Sequence, residues 1–155
     1  MYKRIFKEKK EEMLYNYRRN KKELDEEIIF CSNNSINSRH YGDYQRIFTA
    51  TRKTLDLRKR SKDKLKLEIY YKDWIIEYNG NLLTDEDDIE ENINPNNIVS
   101  SAGAWDNVEF ISYLYDYTSF YNDHDGVITN DGAVFFEVTK VNLVSFKKLN
   151  PNEGY

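Results

Sequence analysis

A chain of 155 residues is long enough for one domain and too short for two of ordinary size. Hydrophobic residues make up 39% and aromatic residues 15%, which is enough for one core, and the formal net charge is -4. The apolar runs are strand-sized, far below the ~20 residues of a membrane span, and a single cysteine, Cys31, excludes an internal disulfide.

The net charge conceals two opposed blocks. Residues 1–66 hold 19 Lys and Arg against 10 Asp and Glu, a net of +9. Residues 67–131 hold one basic residue, Lys72, against 15 acidic ones, a net of -14. Such an asymmetry of charge is informative about binding partners and solubility, and it does not predict the fold.

The composition also predicts where the protein works. The first twelve residues are mostly charged, the opposite of a secretory signal, and a lone cysteine suits a reducing compartment. We therefore expect a cytoplasmic protein, in the host cytoplasm if the source is viral. The 17 Asn and 15 Lys against 4 Ala and 2 Pro favour AT-rich coding, so we hypothesise a low-GC bacterium, its mobile elements or a virus.

Residues 1–27 show a helical period. Their apolar side chains follow one another at intervals of seven and four: Phe6, Met13, Tyr17, Leu24 and Ile28. One narrow stripe at this spacing predicts an amphipathic helix, which no proline or glycine interrupts. The sequence therefore predicts a long N-terminal helix.

From residue 44 the period changes to two. Apolar and β-branched residues alternate from Tyr44, and again at Leu65, Leu67, Ile69 and Tyr71. Asn79–Gly80 is a favoured turn pair. Residues 44–83 are therefore predicted to form an antiparallel β-meander.

Residues 84–121 show helix signals again. Thr84 and Asp87 fit a capping box, and a second helix is expected from Asp106 to Tyr121, with apolar residues over much of its circumference. Residues 126–148 then read as a closing hairpin. The predicted fold is one α+β domain over residues 1–155, with about five antiparallel strands and a buried C-terminal helix before the hairpin.

The acidic block predicts a protein-binding face. Aromatic side chains favour interfaces, and negative charge steers approach to a basic partner. The candidate residues share acidity or an aromatic ring: Asp85, Glu86, Asp87, Asp88, Glu90, Glu91, Trp105, Asp106, Glu109 and Asp116. We expect a non-enzymatic inhibitor of the immunity or phage anti-defence type, acting on an intracellular and nucleic-acid-handling target.

The basic half supports an alternative, a nucleic-acid-binding protein. Lys and Arg that track a phosphate backbone would be drawn from two clusters: Arg18, Arg19, Lys21 and Lys22, then Arg52, Lys53, Arg58, Lys59 and Arg60. The alternative requires the two clusters to meet in space. The pI of about 5.3 argues against it.

A third hypothesis is a metal-dependent, nuclease-like enzyme. Asp123 and Asp125 precede a glycine as in a calcium loop, but Gly132 stands where the bidentate glutamate is required. Asp131 with Glu137 and Lys140 resembles a nuclease pattern, but the last two stand three residues apart and so face opposite sides of a strand.

No other motif points to catalysis. Cys31 with His40 could form a nucleophile pair, although a cysteine among apolar neighbours is more often a small buried hydrophobe. A glycine-rich phosphate loop, a nucleophile elbow and a Cys-x-x-Cys pair are all missing from the sequence. We expect no cofactor, a protein partner before nucleic acid, and no membrane association, and homo-oligomerisation stays open.

Overall fold

The computed structural model describes residues 11–19, 27–79, 94–106 and 108–153. Within them, seven strands form one mixed, curled sheet shaped like half a barrel, in the order β4-β5-β6-β2-β1-β3-β7. The strands are β1 (Leu14–Arg18), β2 (Ile29–Ser32), β3 (Tyr44–Thr49), β4 (Thr54–Asp56), β5 (Gly126–Ile128), β6 (Gly132–Phe135) and β7 (Asn142–Lys148).

The helices lie between β4 and β5 in the chain. They are α1 (Lys62–Trp74), which continues into a π-helical turn (Ile75–Asn79), α2 (Asn96–Ser100), α3 (Val108–Tyr117) and α4 (Phe120–Asp123). In the part of the chain that the structure describes, 3₁₀ segments cover Arg39–Tyr41, Ala102–Asp106 and Val138–Lys140. Among the described residues, no helix has the length and apolar character needed to span a membrane.

All neighbouring strands pair antiparallel except β4 and β5, which are parallel. Parallel neighbours need a long crossover connection, and here the helical segment supplies it. Strands β5 and β6 are buried at every residue, as is expected when both sides of a strand are covered.

The core has two parts, one on each side of the sheet. Val127 and Val134 point to the helices, where they join Leu67, Trp74 and Phe110. The alternate residues point to the other side, where they form a smaller cluster: Ile128, Ala133, Phe135, Ile29, Cys31, Leu14 and Phe48. This alternation follows the pleat of the strands.

Helix α1 begins at a side-chain cap and packs through one side. The Ser61 hydroxyl accepts a hydrogen bond from the Lys64 backbone N–H at 3.0 Å. Leu67, Tyr71 and Trp74 are buried, and the rings of Tyr71 and Trp74 each lie within 5.3 Å of the Phe110 ring. These contacts join α1 to α3.

A buried arginine joins the segment before β3 to the segment after β7. Arg39, 1% exposed, donates to the carbonyl oxygens of Gly42, Asn150 and Glu153 at 2.7–2.9 Å. Its guanidinium also pairs with Asp43 at 2.8 Å. Charge-assisted bonds of this kind are strong when water is excluded, so this residue fixes the last described residues on the sheet.

The predicted long N-terminal helix is wrong over the described residues. Leu14–Arg18 is a strand in the interior of the sheet, pairing with β3 along its whole length. Leu14, which is outside the helical stripe, is buried, whereas Met13, which belongs to it, is 43% exposed, so the stripe does not mark the buried face. Non-local strand pairing outweighs a weak local preference. Residues 1–10 and 20–26 of the predicted helix lie outside the described residues.

The predicted meander at 44–83 is also wrong beyond its first strand. Tyr44–Thr49 is a strand, but Leu65–Tyr71 lies in α1. The period-two alternation arises because α1 carries apolar residues on two sides: Leu65 and Ile69 are one i,i+4 pair, and Leu67 and Tyr71 are another on the opposite side.

The prediction of about five antiparallel strands is contradicted as well. The seven-stranded sheet is mixed, because β4 pairs in parallel with β5. The predicted closing hairpin at 126–148 divides: β5 and β6 pair with each other, whereas β7 pairs with β3. The 3₁₀ turn at Val138–Lys140 separates them and redirects the chain.

Gly132 lies where two strands approach too closely for a side chain. A Cβ at this position would overlap the Cys31 carbonyl oxygen, which belongs to the paired strand. We expect Gly132→Ala to lower the free energy of unfolding by about 3 kcal/mol, because backbone must shift to relieve the clash. Chemical denaturation measures this.

Gly103→Ala is the matched control. Its Cβ would lie 3.3 Å from the Ser101 hydroxyl oxygen, a side-chain atom that can move. We expect a change below about 0.5 kcal/mol. Equal destabilisation by the two substitutions would contradict the strand spacing described here.

Candidate functional site

Helix α3 has one apolar and one polar side. Phe110, Ile111 and Leu114 are buried against the helical side of the core. The opposite side exposes Glu109, Ser112, Tyr115, Asp116 and Tyr117, which we call the tyrosine face. Residues 108–123 contain no Lys or Arg, so its charge is only negative.

Two exposed tyrosines border this face. Tyr115 is 60% and Tyr117 63% exposed, and helical geometry places the two on opposite edges with Asp116 between them. The Tyr115 ring meets the Tyr121 ring edge-on at 5.0 Å, and the Tyr117 ring lies 5.4 Å from Tyr113. Each exposed tyrosine therefore has a ring contact that favours one orientation of its side chain.

Negative charge extends from α3 to the end of α1. Burial raises the pKa of Tyr113, and the nearby carboxylates of Asp73 and Glu77 raise it further. These acids therefore lie close to the Tyr113–Tyr117 edge of the tyrosine face. A patch with one sign of charge attracts a basic partner over distance.

The predicted acidic residues divide into three groups. Asp106, Glu109 and Asp116 are exposed. Trp105 is fully buried, and its indole N–H donates to the Ile98 carbonyl oxygen at 2.9 Å, so it belongs to the core and not to a contact surface. The remaining six lie outside the described residues: Asp85, Glu86, Asp87, Asp88, Glu90 and Glu91.

The structure separates the two predicted basic clusters. Arg58 pairs with Glu12, two residues before β1, whereas Arg18 ends β1 and pairs with Glu27. Strand β1 alone spans roughly 13 Å. Arg58 also binds Asp56 at 2.9 Å, so two carboxylates compensate its charge.

The other basic candidates do not form one stripe either. Arg19 is exposed at the Arg18 end of β1, and Lys21 and Lys22 lie outside the described residues. Four are exposed around β4: Arg52, Lys53, Lys59 and Arg60. The Lys53 amine donates to the Asn122 carbonyl at 2.9 Å.

The weak metal candidates have structural contacts instead. Asp125 accepts a hydrogen bond from the Thr51 hydroxyl at 2.7 Å, and Asp123 is exposed at the end of α4. In the described part of the chain, no three His, Cys, Asp or Glu side chains come together as a metal site.

The nuclease-like set is spread along β6. Asp131 precedes the strand, and its carboxylate accepts from the Ala102 N–H and the Thr129 hydroxyl. Glu137 follows the strand, and it binds the Tyr121 hydroxyl at 2.7 Å and Lys140 at 3.1 Å. Carboxylates at opposite ends of a strand are too far apart to share one metal ion.

Cys31 is enclosed by the smaller core cluster. Burial raises the pKa of its thiol, which Arg46 lowers only partly, so the thiol stays protonated. The thiolate is the nucleophilic form of cysteine. Cys31 is therefore placed as a core residue, and exposed His40 lies beside Tyr41.

A cavity of about 770 Å³ lies where β1 and β2 separate beyond the Tyr15–Ser32 pair. The Asn16 amide crosses this gap to the Phe30 carbonyl at 3.0 Å. Arg18 and Arg46 both bind one oxygen of Glu27, at 3.0 and 2.8 Å. These polar groups bind one another across the gap, which indicates that they hold the separated strands together.

The residues that sequence reasoning missed are Ser112, Tyr115 and Tyr117. The signal was present as three tyrosines, at 113, 115 and 117, in a helix without cations. A comparison of the chain with protein-family models, with curated proteins and with solved structures finds no match.

Tyr121 contacts the tyrosine face through the Tyr115 ring, and its hydroxyl donates a hydrogen bond to Glu137. The Tyr121 hydroxyl, and then Lys140, hold the pKa of Glu137 below its ordinary value of 4.5. Because the folded-state pKa is the lower one, this stabilisation is complete above about pH 4.5 and is lost as the pH falls through the folded-state value.

We expect Tyr121→Phe to lower the free energy of unfolding by about 1 kcal/mol at pH 7, with a smaller difference from wild type below pH 4. Denaturation at several pH values measures it. Tyr115→Phe is the control, since it removes an exposed hydroxyl and keeps the ring. A difference that grows on acidification would contradict the assigned hydrogen bond.

Proposed function

We propose that this protein is a non-enzymatic protein-binding module that engages a basic partner through the tyrosine face of α3. One observation carries the proposal: two exposed tyrosines border an acidic strip on a helix without cations. An inhibitor of the immunity or anti-defence type, directed at a protein that handles nucleic acid, is the role that fits such a face.

The physical reason lies in what each group contributes. Tyrosine offers a large, rigid contact area and a hydroxyl, and it is enriched among residues that dominate binding energy. Carboxylates around the contact raise the association rate with a basic surface. A phosphate backbone would be repelled here, so the same face disfavours nucleic acid.

Substituting both exposed tyrosines tests the proposal. We expect Tyr115→Ser with Tyr117→Ser to weaken binding of the captured partner at least tenfold, because removing a large aromatic contact commonly costs about 1 kcal/mol or more. Tyr41→Ser is the matched control, since Tyr41 is also 60% exposed but lies outside the face. Capture from host lysate, followed by titration with the purified partner, provides the measurement.

The contribution of negative charge to binding is tested separately. Asp116→Lys should lower the association rate constant and reduce its dependence on salt, while the dissociation rate changes little. Surface plasmon resonance at two ionic strengths separates the two rates.

Nucleic-acid binding is the outcome that would overturn the proposal. Labelled DNA and RNA are titrated with the protein by fluorescence anisotropy at two salt concentrations. Tight binding abolished by Arg52→Glu with Arg60→Glu, and unchanged by the tyrosine substitutions, would transfer the function to the exposed basic residues around β4. Arg58 is left intact because its two ion pairs make reversal destabilising.

A further inference from the structure

Helix α1 exposes an apolar stripe on the side that faces away from the core. Leu65 is 61% exposed, and Ile69 and Ile76 are each 57% exposed. Spacings of four and seven residues place all three on one line along α1 and its π-helical continuation. The stripe is roughly 16 Å long at 1.5 Å per residue.

Within the described residues, this stripe is not part of either core cluster. Leu67, Tyr71 and Trp74 supply the contacts of α1 with the core from the opposite side. Three large aliphatic side chains left in water on one helix face are a feature typical of an interaction surface.

The charges beside the stripe have a definite polarity. Lys62 and Lys66 lie near the start of α1, and Asp73 and Glu77 lie near its end. All four fall on the same side of the stripe at helical spacing. One end of this edge is therefore basic and the other end is acidic.

We propose that the stripe binds the same stripe of a second copy of this chain, with the two helices antiparallel about a two-fold axis near Ile69 and Tyr70. Leu65 of each copy then packs on Ile76 of the other, and the two Ile69 side chains meet near the axis. In this isologous arrangement both stripes are occupied, so assembly stops at the dimer.

More of the charges are matched in this orientation than in the parallel one. Antiparallel pairing places Lys66 of one copy opposite Asp73 of the other, and Lys62 opposite Glu77. On the other edge, Glu68 faces Lys72. Parallel pairing would bring the two different edges together, so that Lys66 of one copy lies near Glu68 of the other and Asp73 near Lys72, but it would not place Lys62 opposite Glu77.

The inferred dimer is small. A stripe of about 16 Å on one helix buries less area than a standard interface, so we expect the dimer to dissociate on dilution. Asp73 and Glu77 border both surfaces. The inference nevertheless does not rest on the proposed partner-binding function, because the apolar stripe lies on a different helix and the dimer is tested with the purified chain alone.

A charge exchange tests both the contact and its direction. Sedimentation equilibrium over a range of concentrations measures the dissociation constant of the dimer. We expect Lys66→Glu alone and Asp73→Lys alone each to raise it roughly tenfold or more, because both symmetric contacts become repulsive. An equimolar mixture of the two variants should restore wild-type affinity, because every Lys66–Asp73 contact is then attractive again.

The apolar contact has a separate test. Leu65→Ser with Ile69→Ser should abolish the dimer and leave the thermal transition near that of wild type, since neither side chain is in the core. Val144→Ser, which removes an exposed aliphatic side chain from β7, is the matched control and should leave the dimer intact. Tyr115→Ser should also leave it intact, which separates this surface from the tyrosine face.

Three results would overturn the inference. A monomer at every concentration is one, and a dimer that survives Leu65→Ser with Ile69→Ser is another. The third is a mixture of Lys66→Glu and Asp73→Lys that stays monomeric, which would exclude the antiparallel arrangement.

Discussion

Burial of β5 and β6 on both sides is the constraint on which the rest of the structure depends. Val127 and Val134 require a helical cover, and Ile128, Ala133 and Phe135 require the curled half-barrel on the other side. Apolar burial is the main favourable contribution to folding. Because β5 and β6 carry only apolar residues and glycine, both sides of this strand pair must be covered by other parts of the chain. The helices and the distal strands supply them.

Among the described residues, the helical layer packs on the sheet through one side. Tyr71 and Trp74 of α1 and Phe110 of α3 point inward, where the rings of Tyr71, Trp74 and Trp105 each lie 5.1–5.3 Å from the Phe110 ring. Each helix therefore has a second side that the core does not use. On α3 that side is acidic with tyrosines, and on α1 it is aliphatic with a basic start and an acidic end.

The polar residues buried in this protein serve the sheet. Arg39 binds three backbone carbonyls, and Arg46 binds Asn16 and Glu27 where β1 and β2 separate. An arginine removed from water is tolerated only when its donors are used in this way. The buried arginines of the basic half are thus paired within the sheet, whereas acidic residues of the other half are exposed on the helices.

By itself, the sequence determined the two-part charge distribution, the strand at 44–49 and the helical character of the segment from 106. The acidic, aromatic binding surface stays a prediction, and Trp105, which the prediction included, is buried in the core. Only the tertiary structure decided the rest. A helix that is apolar on two sides alternates like a strand, so Leu65–Tyr71 shows a strand pattern although it lies in α1. Strand β1 forms through pairing with partners distant in sequence. Local patterns encode a residue's neighbours along the chain, whereas strand pairing and exposure depend on neighbours in space.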